Sequence, residues 1–332
     1  MPANLTPQYH RAEASFRQAE TPQEELDGLQ LMLRELPKHK GTDKLQADLK
    51  AKIAKAKAEA AKPAPKATGK GPARIPTQGA GRILLVGPPN SGKSQLLQAL
   101  TRAQPEVAPY PFTTQSPMPG MMLYEDCPFQ LIDLPPVTAD FMDPSIISLV
   151  RGADIVFFVV DLDADNLVED AEVVLQRFAG TKTRLGRKTE LDPEDIGVSY
   201  TQTLLVLNKC DSAEAQEREQ LLDEFLTLDF ERFRVSATEG AGLALLKKAV
   251  FERLEIVRVY TKHPKEKEPD RTKPFTIHKG DTLVEVAQNV HKDMADQLKG
   301  ARVWGPNVHD GTTVKPDYEP VDGDVVELHA GG

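Results

Sequence analysis

The stretch Gly87-Pro88-Pro89-Asn90-Ser91-Gly92-Lys93-Ser94 decides the fold of this 332-residue chain. It matches the pattern G-x-x-x-x-G-K-[ST] and follows the apolar run Ile83 to Val86, which predicts a buried strand. The residues from Gln95 to Leu100 predict the helix that must come next. In a phosphate-binding loop the N–H groups of that helix face the anion, Lys93 reaches the β- and γ-phosphates, and Ser94 binds Mg²⁺. The alternative is a glycine-rich turn that binds nothing, and the flanking strand and helix favour the phosphate loop.

A second motif, Asn208-Lys209-Cys210-Asp211, indicates which base is bound. It follows the apolar run Leu204 to Leu207, a predicted strand. The Asp211 carboxylate can accept two parallel hydrogen bonds from guanine, whereas adenine would place an acceptor against it. Asn208 and Lys209 would brace the base pocket and the phosphate loop. The alternative is an ATP-using P-loop protein, which predicts tighter binding of ATP than of GTP.

Three further segments complete the predicted site, and they contain Asp133, Thr113-Thr114 and Ser236-Ala237. Asp133 ends the run Gln130-Leu131-Ile132 and is expected to hold a Mg²⁺-bound water, although it could instead cap the next segment. Thr114, with Thr113 as second choice, lies in a loop that could close over the γ-phosphate. The predicted metal ligands are Ser94, Thr114 and Asp133. The predicted nucleotide contacts are Gly87, Pro88, Pro89, Asn90, Ser91, Gly92, Lys93, Ser94, Gln95, Thr113, Thr114, Asp133, Asn208, Lys209, Asp211, Ser236 and Ala237.

Composition and charge bound the function classes. The chain is 40% hydrophobic and 27% charged, as in soluble proteins, and no apolar run reaches the length of a membrane span. The two cysteines, Cys127 and Cys210, have no second Cys or His at ligand spacing, so we expect reduced thiols, no zinc site and a cytoplasmic location. The net charge is −9, yet residues 38–74 alone sum to +8. This basic segment indicates either a contact with RNA or a solvated helix face followed by a linker.

Hydrophobic periodicity divides the chain into domains. We expect an N-terminal helical hairpin over residues 1–62, a Lys/Pro/Gly/Ala linker over 63–81, and a polar surface insertion over 181–200. Residues 82–260 alternate short apolar runs with helical stretches, which predicts an α/β fold with a mostly parallel sheet. A helix ending near Val259 would lead into a tether over 261–272. Residues 273–330 would form a small α+β domain.

The ordered set of motifs resembles the Obg/DRG group of P-loop GTPases. The C-terminal residues Gly280-Asp281-Thr282, Ala301 to Gly305 and Asp322 to Val326 are similar to the TGS module attached to these GTPases. The resemblance implies a Ras-like nucleotide-binding domain, an N-terminal helical segment and a ubiquitin-like β-grasp domain at the C-terminus. It also implies a slow Mg²⁺-dependent GTPase switch that works with the ribosome or translation-associated RNA, through residues 38–74 and the TGS domain, and with a protein regulator.

Catalysis is expected to depend on Lys93, Thr114 and Asn90. In related GTPases an asparagine at the place of Asn90 helps to bind K⁺, whose charge can stabilise the transition state. Two departures from the family pattern bear on the rate. Pro136 stands where the family usually has glycine and offers no N–H to the γ-phosphate, and Val137 cannot orient water by a hydrogen bond. Slow hydrolysis is therefore predicted, and the alternative is a scaffold that binds guanine nucleotide and hardly cleaves it.

Overall fold

The structure is a computed structural model. It describes residues 5–19, 22–37, 40–60, 75–101, 117–192, 194–195, 197–263 and 268–330. Thr113 and Thr114, and most of the predicted linker, lie outside the described residues.

The N-terminal helices, as we call residues 7–60, comprise three α-helices in their described part: α1 (Pro7–Arg17), α2 (Pro22–Glu35) and α3 (Asp43–Ala60). The expectation of a two-helix hairpin was therefore wrong, since α1 precedes it. The apolar residues of α1 recur at helical spacing and are buried: Tyr9, Ala12 and Phe16. At Gly28 of α2 an added Cβ would lie 2.8 Å from the Phe16 Cα, so the absent side chain lets α1 and α2 pack closely.

The central domain, residues 82–255, has a mostly parallel sheet with helices on both faces. Along β4, Ile155, Phe157 and Val159 belong to the core under one face, and Val156 and Phe158 belong to the core under the other. Such a doubly covered strand is apolar throughout. The strands are β1 (Arg82–Val86), β2 (Met118–Tyr124), β3 (Cys127–Asp133), β4 (Ile155–Asp161), β5 (Thr183–Gly186), β6 (Glu190–Leu191), β7 (Ser199–Asn208) and β8 (Glu231–Arg234). The helices are α4 (Lys93–Leu100), α5 (Pro144–Arg151), α6 (Leu167–Ala179), α7 (Ala215–Phe225) and α8 (Leu243–Arg253).

The strand order of this sheet brings the predicted motifs to one edge. The order is β2-β3-β1-β4-β7-β5, and β6 and β8 each pair with β7. β1 lies parallel to both β3 and β4, and β4 lies parallel to β7. The loops after β1, β3 and β7 therefore emerge at the same carboxyl edge, where parallel α/β sheets bind their ligands.

The insertion at 181–200 is not the plain surface loop that its polar composition predicted. It contains β5 and β6, and β7 begins within it. β5 pairs in parallel with the start of β7 from Ser199 to Gln202, and β6 pairs antiparallel with the same region. The side chains of Thr183, Ser199 and Thr201 are buried although they are polar. Very short strands with buried hydroxyl groups lack the apolar alternation by which a strand is recognised in a sequence.

The boundary with the C-terminal domain also differs from the prediction. α8 ends at Arg253, and residues Ile256–Thr261 form the strand β9 rather than the end of a helix. β9 pairs antiparallel with β10 (Asp270–His278) and parallel with β13 (Asp324–Ala330). The C-terminal domain therefore begins at residue 256, and β10 takes up part of the segment 261–272 that was predicted to be a tether. Ile256, Val257 and Val259 are β-branched and buried, which favours a strand.

The C-terminal domain, residues 256–330, has five described strands in a mixed sheet, in the order β10-β9-β13-β11-β12. The two other strands are β11 (Leu298–Gly305) and β12 (Val308–Val314). The helix α9 (Leu283–Val290) contributes Leu283 and Val286 to the core of the domain. A capping box formed by Thr282 and Glu285 begins this helix, and α10 (Lys292–Gln297) follows it. A helix packed on a mixed sheet agrees with the predicted β-grasp architecture.

Charged side chains join the three parts of the chain. Arg258 of β9 contacts Glu125 and Asp126 in the turn between β2 and β3, at 2.5 and 3.0 Å, and also contacts Asp322 at 2.7 Å. Arg11 of α1 forms ion pairs with Asp281 and Glu285 of the C-terminal domain. None of the helices in the described ranges combines the length and apolarity that crossing a bilayer requires.

Candidate nucleotide-binding site

The loop between β1 and α4 has the backbone that a phosphate-binding loop needs. At Gly87 an added Cβ would lie 2.5 Å from the Val159 carbonyl oxygen of the neighbouring strand. Gly92 has a φ of +83°, and an added Cβ would lie 2.3 Å from Asn208 Nδ2. Both positions therefore require glycine. α4 begins at Lys93, so its first N–H groups lie at the end of this loop.

Lys93 is held inside the loop. Its Nζ donates to the carbonyl oxygens of Gly87 (3.1 Å) and Pro88 (2.7 Å), and the side chain is 7% exposed. Burial lowers the pKa of Lys93 to about 8, although the nearby Asp133 favours the charged form. A phosphate group at this place would supply further negative charge and hold the ammonium in its protonated form.

Ser94 and Asp133 form a pair of oxygen donors beside the loop. The Ser94 hydroxyl donates to Asp133 Oδ2 at 2.5 Å, while Asp133 Oδ1 is buried and has no hydrogen-bond partner. Burial raises the pKa of Asp133, against the opposing effects of the Ser94 hydrogen bond and Lys93. The described residues contain no cluster of three or more His, Cys, Asp or Glu side chains that could hold a metal ion. A site with few protein oxygens fits Mg²⁺, which takes its remaining ligands from waters and phosphates.

Asn208 connects the phosphate loop with the predicted base pocket. Its side chain is fully buried, donates to the Ser91 carbonyl oxygen at 3.1 Å and accepts from the Ala237 N–H at 3.3 Å. The buried Ser236 orders the loop that follows β8, because its hydroxyl accepts from the Glu239 N–H at 3.0 Å. A single amide therefore fixes the distance between two loops that the sequence separates widely.

Lys209 and Asp211 follow on the exposed side of the same loop. Lys209 has a φ of +59°, and its Nζ lies 2.6 Å from Asp161 Oδ2. The Asp211 carboxylate is exposed to solvent, as a ligand contact requires. Asp161, which is 7% exposed, is missing from the sequence prediction. Its position at the end of the apolar run Ile155 to Val160 is the signal that would have found it, by the argument applied to Asp133.

The segment Asp133-Leu134-Pro135-Pro136-Val137, which we call the third motif, contributes its backbone and not the Val137 side chain. The Val137 N–H donates to the Gly87 carbonyl oxygen at 3.2 Å. The Val137 side chain is 1% exposed and packs in the core with Leu134 and Ile146. It therefore faces away from water.

The structure brings together Lys93, Ser94, Asp133 and Asn208 through the contacts above. Asn90 and Gln95 are exposed, and Asn90 has a left-handed φ of +60°. Thr113 and Thr114 fall in 102–116, outside the described residues.

Comparisons with known proteins agree with this geometry. Residues 82–209 match the family model described as a 50S ribosome-binding GTPase, and residues 257–330 match the TGS domain. A GTP-binding protein of Methanocaldococcus jannaschii is 27% identical over 92% of this chain and 92% of its own length. Developmentally-regulated G-protein 3 of Arabidopsis thaliana is 29% identical over 88% of this chain and 94% of its own. The chain carries a GTPase domain and a TGS domain, and over most of its length it is similar to the developmentally-regulated (DRG) G-proteins.

Two further comparisons concern a solved structure with a similar fold and a relative whose name describes it as ribosome-interacting. The structure of the YchF GTPase of Schizosaccharomyces pombe superposes with a TM-score of 0.52, covers 77% of this chain and 100% of that chain, and is 14% identical, which supports the fold alone. Ribosome-interacting GTPase 1 of Saccharomyces cerevisiae is 26% identical over 88% of this chain and 94% of its own length. The fold class and the resemblance to TGS-bearing, DRG-type GTP-binding proteins predicted from the motifs are confirmed by these comparisons.

Proposed function

We propose that this DRG-like GTPase is a slow, Mg²⁺-dependent switch that acts with the ribosome. The observation that carries the proposal is the convergence of Lys93, Ser94 and Asp133 beside the buried Asn208, at the carboxyl edge of one sheet. These groups provide a cation for the phosphates, oxygen donors for a metal ion and a brace for the base pocket.

Guanine selection is assigned to Asp211, with Asn208 and Ala237 supporting the pocket. The exposed carboxylate is available for the paired donors of guanine, and Asn208 fixes the loop that carries it. The backbone N–H of Ala237 donates only a long hydrogen bond to Asn208, at 3.3 Å, so it is available to donate to the guanine O6. Adenine lacks this pair of donors and would place an acceptor against the Asp211 carboxylate, so the arrangement favours guanine over adenine.

Mg²⁺ would be held by Ser94 directly and by Asp133 through water, and Thr114, from the segment before β2, is the third proposed ligand. The unpaired Asp133 Oδ1 supports this assignment, because a buried carboxylate oxygen without a partner is costly unless a ligand satisfies it. When bound, the ion neutralises charge on the phosphates. K⁺ is proposed as a second ion near Asn90, whose side chain is exposed on the loop.

Hydrolysis is expected to be slow because the third motif offers neither of the usual aids. Pro136 has no N–H to donate, and the Val137 side chain is buried in the core. A protein regulator or the ribosome could supply the missing group. The competing function, supported by the same two residues, is a guanine-nucleotide-binding scaffold that hardly cleaves GTP.

Single-turnover hydrolysis of bound GTP separates the two. Cleavage that Lys93→Ala abolishes supports the enzyme, whereas a GTP complex that persists for hours in Mg²⁺ and K⁺ supports the scaffold. Both functions share GTP binding, so a nucleotide-binding measurement on the same samples serves as the control.

The partner is proposed from the family model and from the relative whose name describes it as ribosome-interacting. A role with the ribosome agrees with a cytoplasmic location and with the free thiols of Cys127 and Cys210. Co-sedimentation with ribosomes should depend on whether GTP, GDP or no nucleotide is bound, and on salt. Sedimentation that is independent of nucleotide, or absent in all three conditions, would remove the support for this partner.

A further inference from the structure

A cavity of about 280 Å³ lies between the N-terminal helices and the central domain, away from the nucleotide loop. We call it the seam cavity. Four cationic side chains and one carboxylate line it: Lys52, Lys55, Arg151, Lys182 and Glu25. The lysines come from α3 and from the turn before β5, and Arg151 ends α5. Three separate elements thus direct positive charge to one place.

Most of these cations have no carboxylate partner. Lys52 pairs with Asp195 at 2.9 Å. Within the described ranges, Lys55, Arg151 and Lys182 form no ion pair. Arg151 has only a long hydrogen bond to the Gly197 carbonyl oxygen, at 3.4 Å, and a stacking contact with the Phe16 ring at 5.3 Å. The cavity therefore keeps an excess of positive charge after its internal pairs are counted.

A second guanidinium group, that of Arg17, contacts Arg151 beside the cavity without lining it. Arg17 is 8% exposed, and its Nη2 donates to the Arg151 carbonyl oxygen at 3.1 Å. Its Nε is buried without a hydrogen-bond partner, and no ion pair of Arg17 is present in the described part of the chain. Burial lowers the pKa of both arginines. Glu25 opposes this effect for Arg151, and Asp154 and Glu13 oppose it for Arg17, whose pKa the charge of Arg151 lowers further. Buried cations without a paired carboxylate are costly, so an anion bound here would stabilise the seam.

We propose that the seam cavity binds phosphate groups through Lys55, Arg151 and Lys182. A phosphate carries enough charge and enough oxygen acceptors to meet an arginine fork and two ammonium groups together. Two further lysines of α3, Lys50 and Lys57, are exposed outside the cavity, whereas Lys44 is paired with Glu194. Two sources offer this chemistry, an RNA backbone and a small phosphorylated molecule. The RNA source rests on the proposed role with the ribosome; the small-molecule source does not.

The test uses the full-length protein saturated with GDP, so that the phosphate loop is already filled. The probes are a short fluorescent single-stranded RNA, followed by anisotropy over a range of salt, and inorganic pyrophosphate, followed by calorimetry. The cavity variant is Lys55→Gln/Lys182→Gln, because both side chains are exposed and their replacement leaves the core intact. The matched control is Lys50→Gln/Lys57→Gln, which removes the same charge from exposed positions of α3 that do not line the cavity.

We expect the cavity variant to bind the relevant probe about tenfold or more weakly than the control does, because each substitution removes a charge-assisted hydrogen bond. With RNA, the slope of log K against log salt should fall by about 0.7 for each phosphate that the protein no longer neutralises. Weaker RNA binding, with pyrophosphate competing, supports the RNA source. Weaker pyrophosphate binding without any RNA binding supports a small phosphorylated molecule.

Equal binding of both probes by the cavity variant and the control would overturn the proposal, as would a parent protein that binds neither. Thermal unfolding and GDP affinity of both variants show that the fold and the nucleotide loop are preserved. Failure of the proposed function is recognised separately, since it would appear as absent GTP turnover in the parent protein while the cavity titrations remain interpretable.

Discussion

Replacing Gly92 by alanine should disturb the nucleotide site through a steric clash with Asn208, and the effect of this clash can be measured separately from that of the backbone conformation. A Cβ at this position would lie 2.3 Å from Asn208 Nδ2, so the amide must move. Asn208 would then lose its hydrogen bonds to the Ser91 carbonyl oxygen and the Ala237 N–H, at 3.1 and 3.3 Å. An alanine in the left-handed region costs about 1–2 kcal/mol, and leaving buried polar groups unpaired costs about 1–3 kcal/mol more. We expect the free energy of unfolding to fall by about 2–5 kcal/mol, as the sum of these two costs.

Gly240→Ala provides the matched control. Gly240 has a similar φ, +76°, but an added Cβ would meet nothing within 4 Å. Its substitution should therefore cost only the conformational part, about 1–2 kcal/mol. Urea unfolding of both variants, without nucleotide, gives the two free energies directly.

A double-mutant cycle with Asn208→Ala completes the test. The truncated side chain removes the clash, so Gly92→Ala should cost no more in that background than Gly240→Ala costs in the parent. If Gly92→Ala destabilises the parent no more than Gly240→Ala does, or equally in both backgrounds, the steric argument is refuted.

Further outcomes are expected for Lys93, Arg258, Asp211 and Asn90. Burial lowers the folded-state pKa of Lys93 to about 8, so the free-energy cost of burying its charge is fully present below pH 8. This cost is relieved as the pH rises toward the pKa of the unfolded state, near 10.4. The nucleotide-free parent should therefore gain stability over this pH range relative to Lys93→Met, and parallel curves of stability against pH would contradict this. GDP affinity should fall above pH 8 for the same reason, measured by calorimetry. Arg258→Met removes a cation shared by three carboxylates, so it should lower the free energy of unfolding by about 1–3 kcal/mol and speed hydrogen exchange in β9. Lys279→Gln breaks an exposed ion pair at 3.5 Å and should lower it by less than about 1 kcal/mol. Equal effects of the two substitutions would refute the stabilising role of Arg258. Asp211→Asn should weaken GTP binding and shift base preference away from guanine, and an unchanged ratio of GTP to ATP affinity would argue against its role. GTP turnover should be faster in K⁺ than in Na⁺, and equal rates would exclude the K⁺ proposal for Asn90.

The sequence predicted the strands of the central sheet where burial made them apolar on both faces. The predicted strands Ile83 to Val86 and Leu204 to Leu207 lie within β1 and β7, and their side chains are buried throughout. The loop residues from Gly87 to Ser94 and the carboxylate Asp133 were identified for the same reason, since each follows such a run. The parts that could be predicted are those in which local pattern and tertiary environment agree.

The remaining features depend on contacts between distant segments. β5 and β6 form because the start of β7 offers a strand edge, which no local pattern reveals. β9 was taken as the end of a helix, and it is a strand because it pairs with β10 and with β13, which lies more than sixty residues later. The role of Asp161 as a partner of Lys209 and the inward direction of the Val137 side chain were likewise determined by packing.

The contacts of Arg258 bear on how such multidomain GTPases can be recombined. Arg258 and Tyr260 belong to the C-terminal domain, yet their partner Asp126 belongs to the central domain. A chain cut at residue 255 would leave Glu125 and Asp126 side by side without their cation. A TGS domain grafted from another protein would be accepted only if its first strand carried equivalent residues. The two domains can therefore be exchanged only as a pair with matched charges, because residues on both sides of the domain boundary form one set of contacts.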